Sequence, residues 1–382
     1  MKIERAPRVR PEPSDIQHAA VNTAPIQPQM EGSRDVNSQQ QTVRVPMKTG
    51  ETPLRVVSLF TGAGGLDLGF EAAGCETIVT VDNDYEACKT LRHNRPEWGV
   101  FEGDIRDYEP TEENVDIVIG GPPCQGFSSA GKGNPDDPRN FLWKEYMRVV
   151  ETLQPRAIVL ENVSALTHKK NGDHLTGIMA ALEAQGYNFT YGVLNAADFG
   201  VPQARRRLVV IGLREGVPTM PVPTHVGRHV SVGEAIAELD GEFDANWNHI
   251  PPRHAEHVAE RWARLEPGES DPNYLRARLD PSKPSTTIRA GGGYGPKGDH
   301  LAGFHPPIHP YQPRQLTVRE AARLQSFPDD WILMGSKTAQ GRQIGNAVPV
   351  KLAEAIGNHV VALLREIDER QTASRSQVPA LV

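Results

Sequence analysis

Cys124 is the side chain in this sequence best equipped for covalent chemistry. It stands in Gly121-Pro122-Pro123-Cys124-Gln125-Gly126-Phe127-Ser128, where two prolines fix φ and exclude a regular helix. A thiol presented on such a stiff loop, at a strand end in an α/β cleft, is a candidate nucleophile. A small buried cysteine is the plain alternative, but Pro-Pro and Gln-Gly-Phe-Ser make poor core material. Glu161-Asn162-Val163 directly follows an apolar run at 157–160. A carboxyl at the end of a buried strand can keep a raised pKa and donate a proton; a capping Glu-Asn pair is the other reading. Gln203-Ala204-Arg205-Arg206-Arg207 precedes a second apolar run at 208–212. Alternate residues of an extended segment point the same way, so Arg205 and Arg207 are expected to share a face. Two guanidiniums facing one cleft imply an anionic or carbonyl-rich ligand, against the alternative of a solvated charge run.

Three further places suit a ligand. Phe60-Thr61-Gly62-Ala63-Gly64-Gly65 closes a short apolar stretch, and glycines such as Gly62 and Gly64 let the backbone turn tightly and approach a ligand. The spacing is not that of a dinucleotide fingerprint, and a simple tight turn reads the same way. Asp82 ends the next apolar stretch, placed to accept from ribose hydroxyls. Asp104 follows Gly103 in a third unit and could accept from an adenine amino group. Each acid alone is more often a helix cap. Together they outline an adenosine pocket without a phosphate cradle, which suits S-adenosylmethionine better than a nicotinamide dinucleotide.

The elements that must hold these residues follow from patterning. Strands are expected at 54–60, 76–81, 116–119, 157–160 and 208–212, with helices at 66–73, 85–93, 139–153 and 173–186 between them. Alternation of this kind predicts an α/β fold with a doubly wound, mostly parallel, Rossmann-like sheet. Ligands bind outside the carboxyl ends of such strands, and the Phe60 turn, Asp82, the Cys124 loop and Glu161 each sit at one. Residues 213–313 carry many Pro, Gly and His, including Gly291-Gly292-Gly293-Tyr294-Gly295, and read as a smaller loop-rich domain. Helices return at 317–324 and 350–368. The chain therefore divides into a disordered tail at 1–52, a core domain at 53–212 and 314–370, the insert at 213–313, and a short tail at 371–382. The first tail is rich in Pro, Gln, Ser and Asn and cannot bury a core.

Composition excludes several classes. The 382 residues are 38% hydrophobic and 23% charged, as in ordinary globular proteins. No apolar run approaches the roughly 18 residues of a membrane span, and no secretory h-region opens the chain. Three cysteines, Cys75, Cys88 and Cys124, lack metal-ligand spacing and fit a reducing cytoplasm. A net charge of −7 speaks weakly against a nucleic-acid partner, but a basic cleft can sit on an acidic body.

In their order along the chain, 60–65, 121–128, 161–163, 203–207 and Gln343-Ile344-Gly345-Asn346-Ala347-Val348-Pro349 resemble the motifs of the DNA cytosine-C5 methyltransferases of bacterial modification systems. The matching stretches cover 54–212 and 314–365, and the insert falls where that family keeps its target-recognition domain. The resemblance implies methyl transfer from S-adenosylmethionine to C5 of a flipped-out cytosine in double-stranded DNA. It makes Cys124 the nucleophile toward C6 and Glu161 the proton donor at N3. Arg205 and Arg207 would bind the base carbonyl and nearby groups, Arg207 being the closer analogue of the family's second arginine. Phe60 would stack on the cofactor adenine, with Gly62, Gly64, Asp82, Asp104, Ile105, Pro122, Leu142 and Asn346 around it; 136–142 resembles the motif after a mobile catalytic loop. Gln125, Ser128, Asn162 and Gln203 would serve the DNA. Thr287-Ile288-Arg289 before the glycines resembles the recognition stretch, with Arg289 reading guanine or holding phosphate. The resemblance further implies a monomer, no metal, no membrane, and room for a restriction endonuclease of matching specificity without direct contact. Asp82 stands where the family often has Glu, and residues 1–52 have no counterpart in its minimal core.

Other readings are weaker. The RNA-modifying branch carries Cys-Phe-Thr in its recognition segment, and this chain has no cysteine after Cys124. A catalytically dead DNA binder would not need Cys124, Glu161, Arg205 and Arg207 together. A zinc deaminase needs Pro-Cys-x-x-Cys, which is absent.

Overall fold

The computed structural model describes residues 52–123, 138–168, 172–239, 241, 243–274, 276–291 and 303–376. Residues 1–51, Cys124, Gln125, Ser128, Asp136 and Gly292 to Gly295 lie outside them.

Alternating elements run β1 (Arg55–Leu59), α1 (Gly65–Ala72), β2 (Glu76–Asp82), α2 (Tyr85–Asn94), β3 (Gly99–Glu102), β4 (Ile117–Gly120), α3 (Trp143–Leu153), β5 (Ala157–Val163), α4 (Gly172–Ala184), β6 (Asn188–Asn195) and β7 (Arg206–Leu213). They build a seven-stranded sheet in the order β3-β2-β1-β4-β5-β7-β6. Neighbours from β3 through β5 pair in parallel. Parallel strands covered on both faces read as unbroken apolar runs. Thus Ile117, Val118, Ile119, Ala157, Ile158, Val159 and Leu160 are all fully buried. Each such Val, Leu or Ile contributes about 1.5–3 kcal/mol.

β7 is the exception, antiparallel to both β5 and β6. The crossover through α4 sets β6 beyond a one-strand gap, and the short return at 196–205 sends β7 back into it. A link that short can join only antiparallel neighbours. β6 has no counterpart among the strands expected from sequence. It is the edge strand, wholly without fully buried positions, so it has no apolar run to betray it.

Beyond β7 come α5 (Val232–Ile236), α6 (Glu256–Ala263), α7 (Val318–Leu324), α8 (Lys337–Asn346) and α9 (Val350–Ser376). α9 outlasts the expected 350–368 and lies across α1. Contact is close because Gly69 leaves no room for a Cβ against Ala353, and Gly357 packs on Ala73 and Phe70. The stretch from Lys337 to Ser374 is, by length and composition, apolar enough to span a membrane, contrary to the sequence expectation. Its most apolar window is 61% buried inside the molecule, and the apolar face of α9 (Leu352, Ala353, Ile356, Val360 and Leu364) shares a core with β1, β4, β5 and β7.

Residues from 213–313 join two cores. Val232, Ile236, Leu239, Leu279 and Ile288 pack with Ala63, Leu68, Leu91 and residues of α7 and α8. Trp262, Leu265 and Ile308 form a small separate cluster with Val258 and Tyr274.

Candidate active site at the carboxyl end of the sheet

From β1 the chain winds outward to β2 and β3; from β4 it winds the other way to β5. The crevice at such a switch point, outside the carboxyl ends of the strands, is where open α/β sheets take ligands. The Phe60 turn leaves β1 on one side of it, and the Pro122-Pro123 loop leaves β4 on the other.

The Phe60 turn is tightly wound. Phe60, Gly62 and Gly64 all have positive φ, at 56°, 57° and 81°. That region is costly for a residue with a Cβ, so the half-buried Phe60 holds a strained position, which is itself a mark of functional sites. Asp82 sets the turn from the neighbouring strand. Its Oδ2 accepts from Gly62 N at 2.7 Å and its Oδ1 from Asp84 N at 2.7 Å. Burial pushes the Asp82 carboxyl up, against the lowering effect of these amides. Nothing lies within 4 Å of a Cβ built on Gly62, so the backbone there is open to the crevice. Asp104 caps a short 3₁₀ turn through Arg106 N at 3.0 Å and also pairs with the Arg106 side chain. That pairing holds its carboxyl down to about 2. Ile105 behind it is buried.

The other wall is built on Glu161. The residue lies inside β5, which extends to Val163, rather than after the strand as the sequence suggested. It is 8% exposed. Its Oε1 lies 2.8 Å from Arg207 Nε. Burial raises its pKa, while Arg207 and then Arg205 pull it down, and burial prevails. A Cβ on Gly121 would stand 3.2 Å from Glu161 Oε2. The loop that leads to Cys124 therefore starts against this carboxyl. Asn162 fastens the same loop, donating from Nδ2 to Pro122 O at 3.0 Å while its Oδ1 accepts from Val163 N at 2.7 Å. Leu142 precedes α3 and packs against the apolar cluster that includes Leu59 and Leu160.

Arg205 and Arg207 part company. Both bring charge to Glu161, but only Arg207 touches it. Arg205 is 1% exposed and donates Nη1 to Ile288 O at 2.9 Å and Nη2 to Gly345 O at 2.8 Å. It ties the segment before Arg289 to the segment before Asn346. Gln203 braces the same joint, donating to Leu324 O at 3.1 Å and accepting from Ile288 N at 3.0 Å. Thr287 donates to Ala204 O at 2.8 Å. These bonds all go to backbone, while Arg205 Nε is buried without a partner among the described residues. Arg289 is exposed.

Asn346 is exposed at the end of α8, and Val348, two residues on, reaches the Phe60 turn from the far end of the chain. A Cβ on Gly65 would collide with Val348 O, and one on Gly64 would stand 3.0 Å from the Trp331 ring. Gln343 locks α8 to α2, accepting from Thr90 Oγ1 at 2.7 Å. Sequence reasoning missed Asp67. It is fully buried in α1 between Leu66 and Leu68, an acid on the apolar face of a helix, and that placement was its available signal. Burial pushes its carboxyl up to about 7, the Ser58 hydroxyl opposing and the charges of Glu71 and Asp82 adding.

A family model described as C-5 cytosine-specific DNA methylase matches residues 54–362. The chain belongs to that family. This methylase is 39% identical to the Type II methyltransferase M1.HphI of Haemophilus parahaemolyticus, over 81% of its own length and 87% of the relative's. It is 36% identical to M.XorII of Xanthomonas oryzae pv. oryzae, over 82% and 86%. Its fold matches the crystal structure of a prophage-encoded Escherichia coli protein described as a DNA modification methyltransferase. That match has a TM-score of 0.67 and 29% identity and covers 82% of this chain and 99% of the other. Dnmt2 of S. pombe, at 19% identity and a TM-score of 0.57, shares the fold over 82% of this chain and 99% of its own. The methylase is thus a DNA cytosine-5-methyltransferase of the restriction-modification type, uses S-adenosylmethionine, and methylates cytosine in DNA. The open backbone at Gly62, with the half-buried Asp82 carboxyl beside it, fits an adenosine-bearing cofactor.

Proposed function

We propose that this methylase acts through a covalent bond between Cys124 and C6 of a cytosine flipped out of a specific double-stranded sequence. The observation that carries the reading is Glu161, a buried carboxyl with a raised pKa, paired with Arg207 and set against the first residue of the Cys124 loop. C5 of cytosine is a poor nucleophile. Addition of the Cys124 thiolate at C6, with a proton from Glu161 to N3, makes C5 enamine-like. C5 then takes the methyl group, a base removes the C5 proton, and the thiolate leaves as the C5–C6 double bond re-forms and the N3 proton returns to Glu161. Splitting one hard step in this way is the use of a covalent nucleophile. Arg207 supports developing charge on the ring. Flipping is needed because both faces of the base must be reached, at a few kcal/mol recovered in the pocket.

S-adenosylmethionine supplies the methyl as an electrophilic sulfonium. Phe60, Gly62, Gly64, Asp82, Asp104, Ile105, Pro122, Leu142 and Asn346 would hold it. Gln125, Ser128 and Arg289 would meet the DNA. Asn162, Gln203, Arg205 and Thr287, whose side chains bond to backbone, serve the substrate by positioning the Cys124 loop and the recognition stretch. Residues 213–313 would carry sequence choice, 53–212 and 314–370 the chemistry, and 1–52 would be dispensable for it. Bisulfite sequencing of DNA from cells expressing the protein tests this reading. Methylcytosine at one fixed position of one short motif is expected; methylation scattered without a motif would refute specific recognition.

A further inference from the structure

Arg276 is a guanidinium in the 213–313 segment that the fold leaves partly unused. Its neighbours show the contrast. Arg278 donates Nε to Pro310 O and Nη1 to Leu265 O, both at 2.9 Å. Arg261 is paired with Asp271 at 2.8 Å, and Arg314 grips the buried Glu320 with two bonds of 2.8 and 2.7 Å. Those arginines hold the segment together. Arg276 Nη2 is buried and finds no hydrogen-bond partner among the described residues. Leaving such a donor unmet costs about 1–3 kcal/mol, so a native protein keeps one where something else completes it.

The surroundings of Arg276 are fixed. Tyr274 stands beside it, the hydroxyl meeting His305 Nδ1 at 3.0 Å and the ring packing 5.3 Å from that of Trp262. The backbone is pinned at Arg276 and just after it, its carbonyl accepting from Asp271 N at 3.0 Å and that of Ala277 from Ile308 N at 3.0 Å. Arg289 bears on it with a like charge, and among the described residues neither arginine has a carboxylate partner. Two uncompensated cations call for an acceptor-rich ligand. The pair adjoins the catalytic crevice, because Arg289 directly follows Ile288, the residue to which Arg205 is bonded.

We propose that Arg276 is a specificity-determining residue that reads the O6/N7 edge of a guanine in the target duplex, beside Arg289. The inference rests on the reading of 213–313 as the recognition segment. A guanine edge asks for a fixed, planar, bidentate fork, which a half-buried guanidinium on a pinned backbone supplies. Phosphate is content with a mobile, exposed charge.

The test is methylation of a randomised duplex library, read by bisulfite sequencing, with the wild type, Arg276→Ala, Arg276→Gln and Arg276→Lys. The wild type should select a motif containing a guanine at one defined position. In Arg276→Ala, discrimination at that position should fall by about 5- to 150-fold, with the other positions unchanged. Lysine should not restore it, since an ammonium cannot make the planar fork. Glutamine keeps a polar side chain next to Tyr274 and replaces Ala if that variant does not fold. An unchanged motif in the Ala or Gln variant, at whatever overall rate, would overturn the assignment to Arg276 alone. A wild type that selects no motif would overturn the recognition reading itself.

Discussion

Arg207 Nε and Glu161 Oε1 stand 2.8 Å apart because β7 runs backwards beside β5. Val163 pairs with Arg207, and Glu161 with Val209. Arg207 and Glu161 are therefore diagonal neighbours on one face, within reach of a long side chain. A one-residue slip would turn Arg207 to the opposite face. A parallel β7 would set a different register altogether, so the reversed strand is what assembles this corner of the site.

Glu161→Gln keeps the volume of the side chain but cannot release a proton. Turnover should fall by about 10²–10⁴-fold, the usual range for a lost general acid, with thermal stability nearly unchanged. Arg207→Ala leaves a buried carboxyl without its cation, which costs about 3–5 kcal/mol. Denaturant unfolding at neutral pH should show that loss, and adding Glu161→Gln should recover much of it. Purely additive losses would mean that the two groups do not interact.

Arg205 should behave as a framework residue. Arg205→Lys cannot reach both Ile288 O and Gly345 O, and a buried carbonyl left unmet costs about 1–3 kcal/mol. The melting temperature should drop and cofactor affinity weaken, since Gly345 adjoins Asn346. Arg207→Lys should chiefly lower kcat. Unchanged stability of Arg205→Lys with abolished turnover would instead give Arg205 a direct chemical role.

Much of this was legible in the residues. The unbroken apolar runs of β4 and β5 announced buried parallel strands, and Phe60, Asp82 and Pro122 stood at strand ends where a cleft must be, whereas Glu161 lies inside β5 and not after it. Three things were hidden, each for a physical reason. β6 is an edge strand whose Asn, Thr and Gly carry no burial signal. The separation of Arg205 from Arg207 depends on Ile288 and Gly345, which are remote in sequence. Asp67, between Leu66 and Leu68, drew no notice because its full burial depends on packing from segments remote in sequence.

Asp67 predicts a pH dependence. Its pKa rises from 3.8 to about 7 on folding, so between those values the folded chain keeps a proton that the unfolded chain has released. The stabilisation is full below the unfolded value and drains away as pH rises through about 7. The groups facing it are the Ser58 hydroxyl on β1, Glu71 on its own helix and Asp82 on β2. Asp67→Asn removes the titration. Melts from pH 5 to 8 should show the variant gaining on the wild type as pH rises. A gap that stays constant over that range would mean that Asp67 does not carry the proton.

The covalent role of Cys124 is tested most directly with a duplex whose target cytosine carries fluorine at C5. After methyl transfer the fluorine cannot leave as a proton does, so the enzyme should stay bound to DNA through Cys124. With S-adenosylmethionine present, a denaturation-resistant protein–DNA adduct is expected, its DNA mapped to the peptide containing Cys124. Cys124→Ala should form no adduct and transfer no methyl group, yet still bind the cofactor. Full methylation by Cys124→Ala would contradict the mechanism.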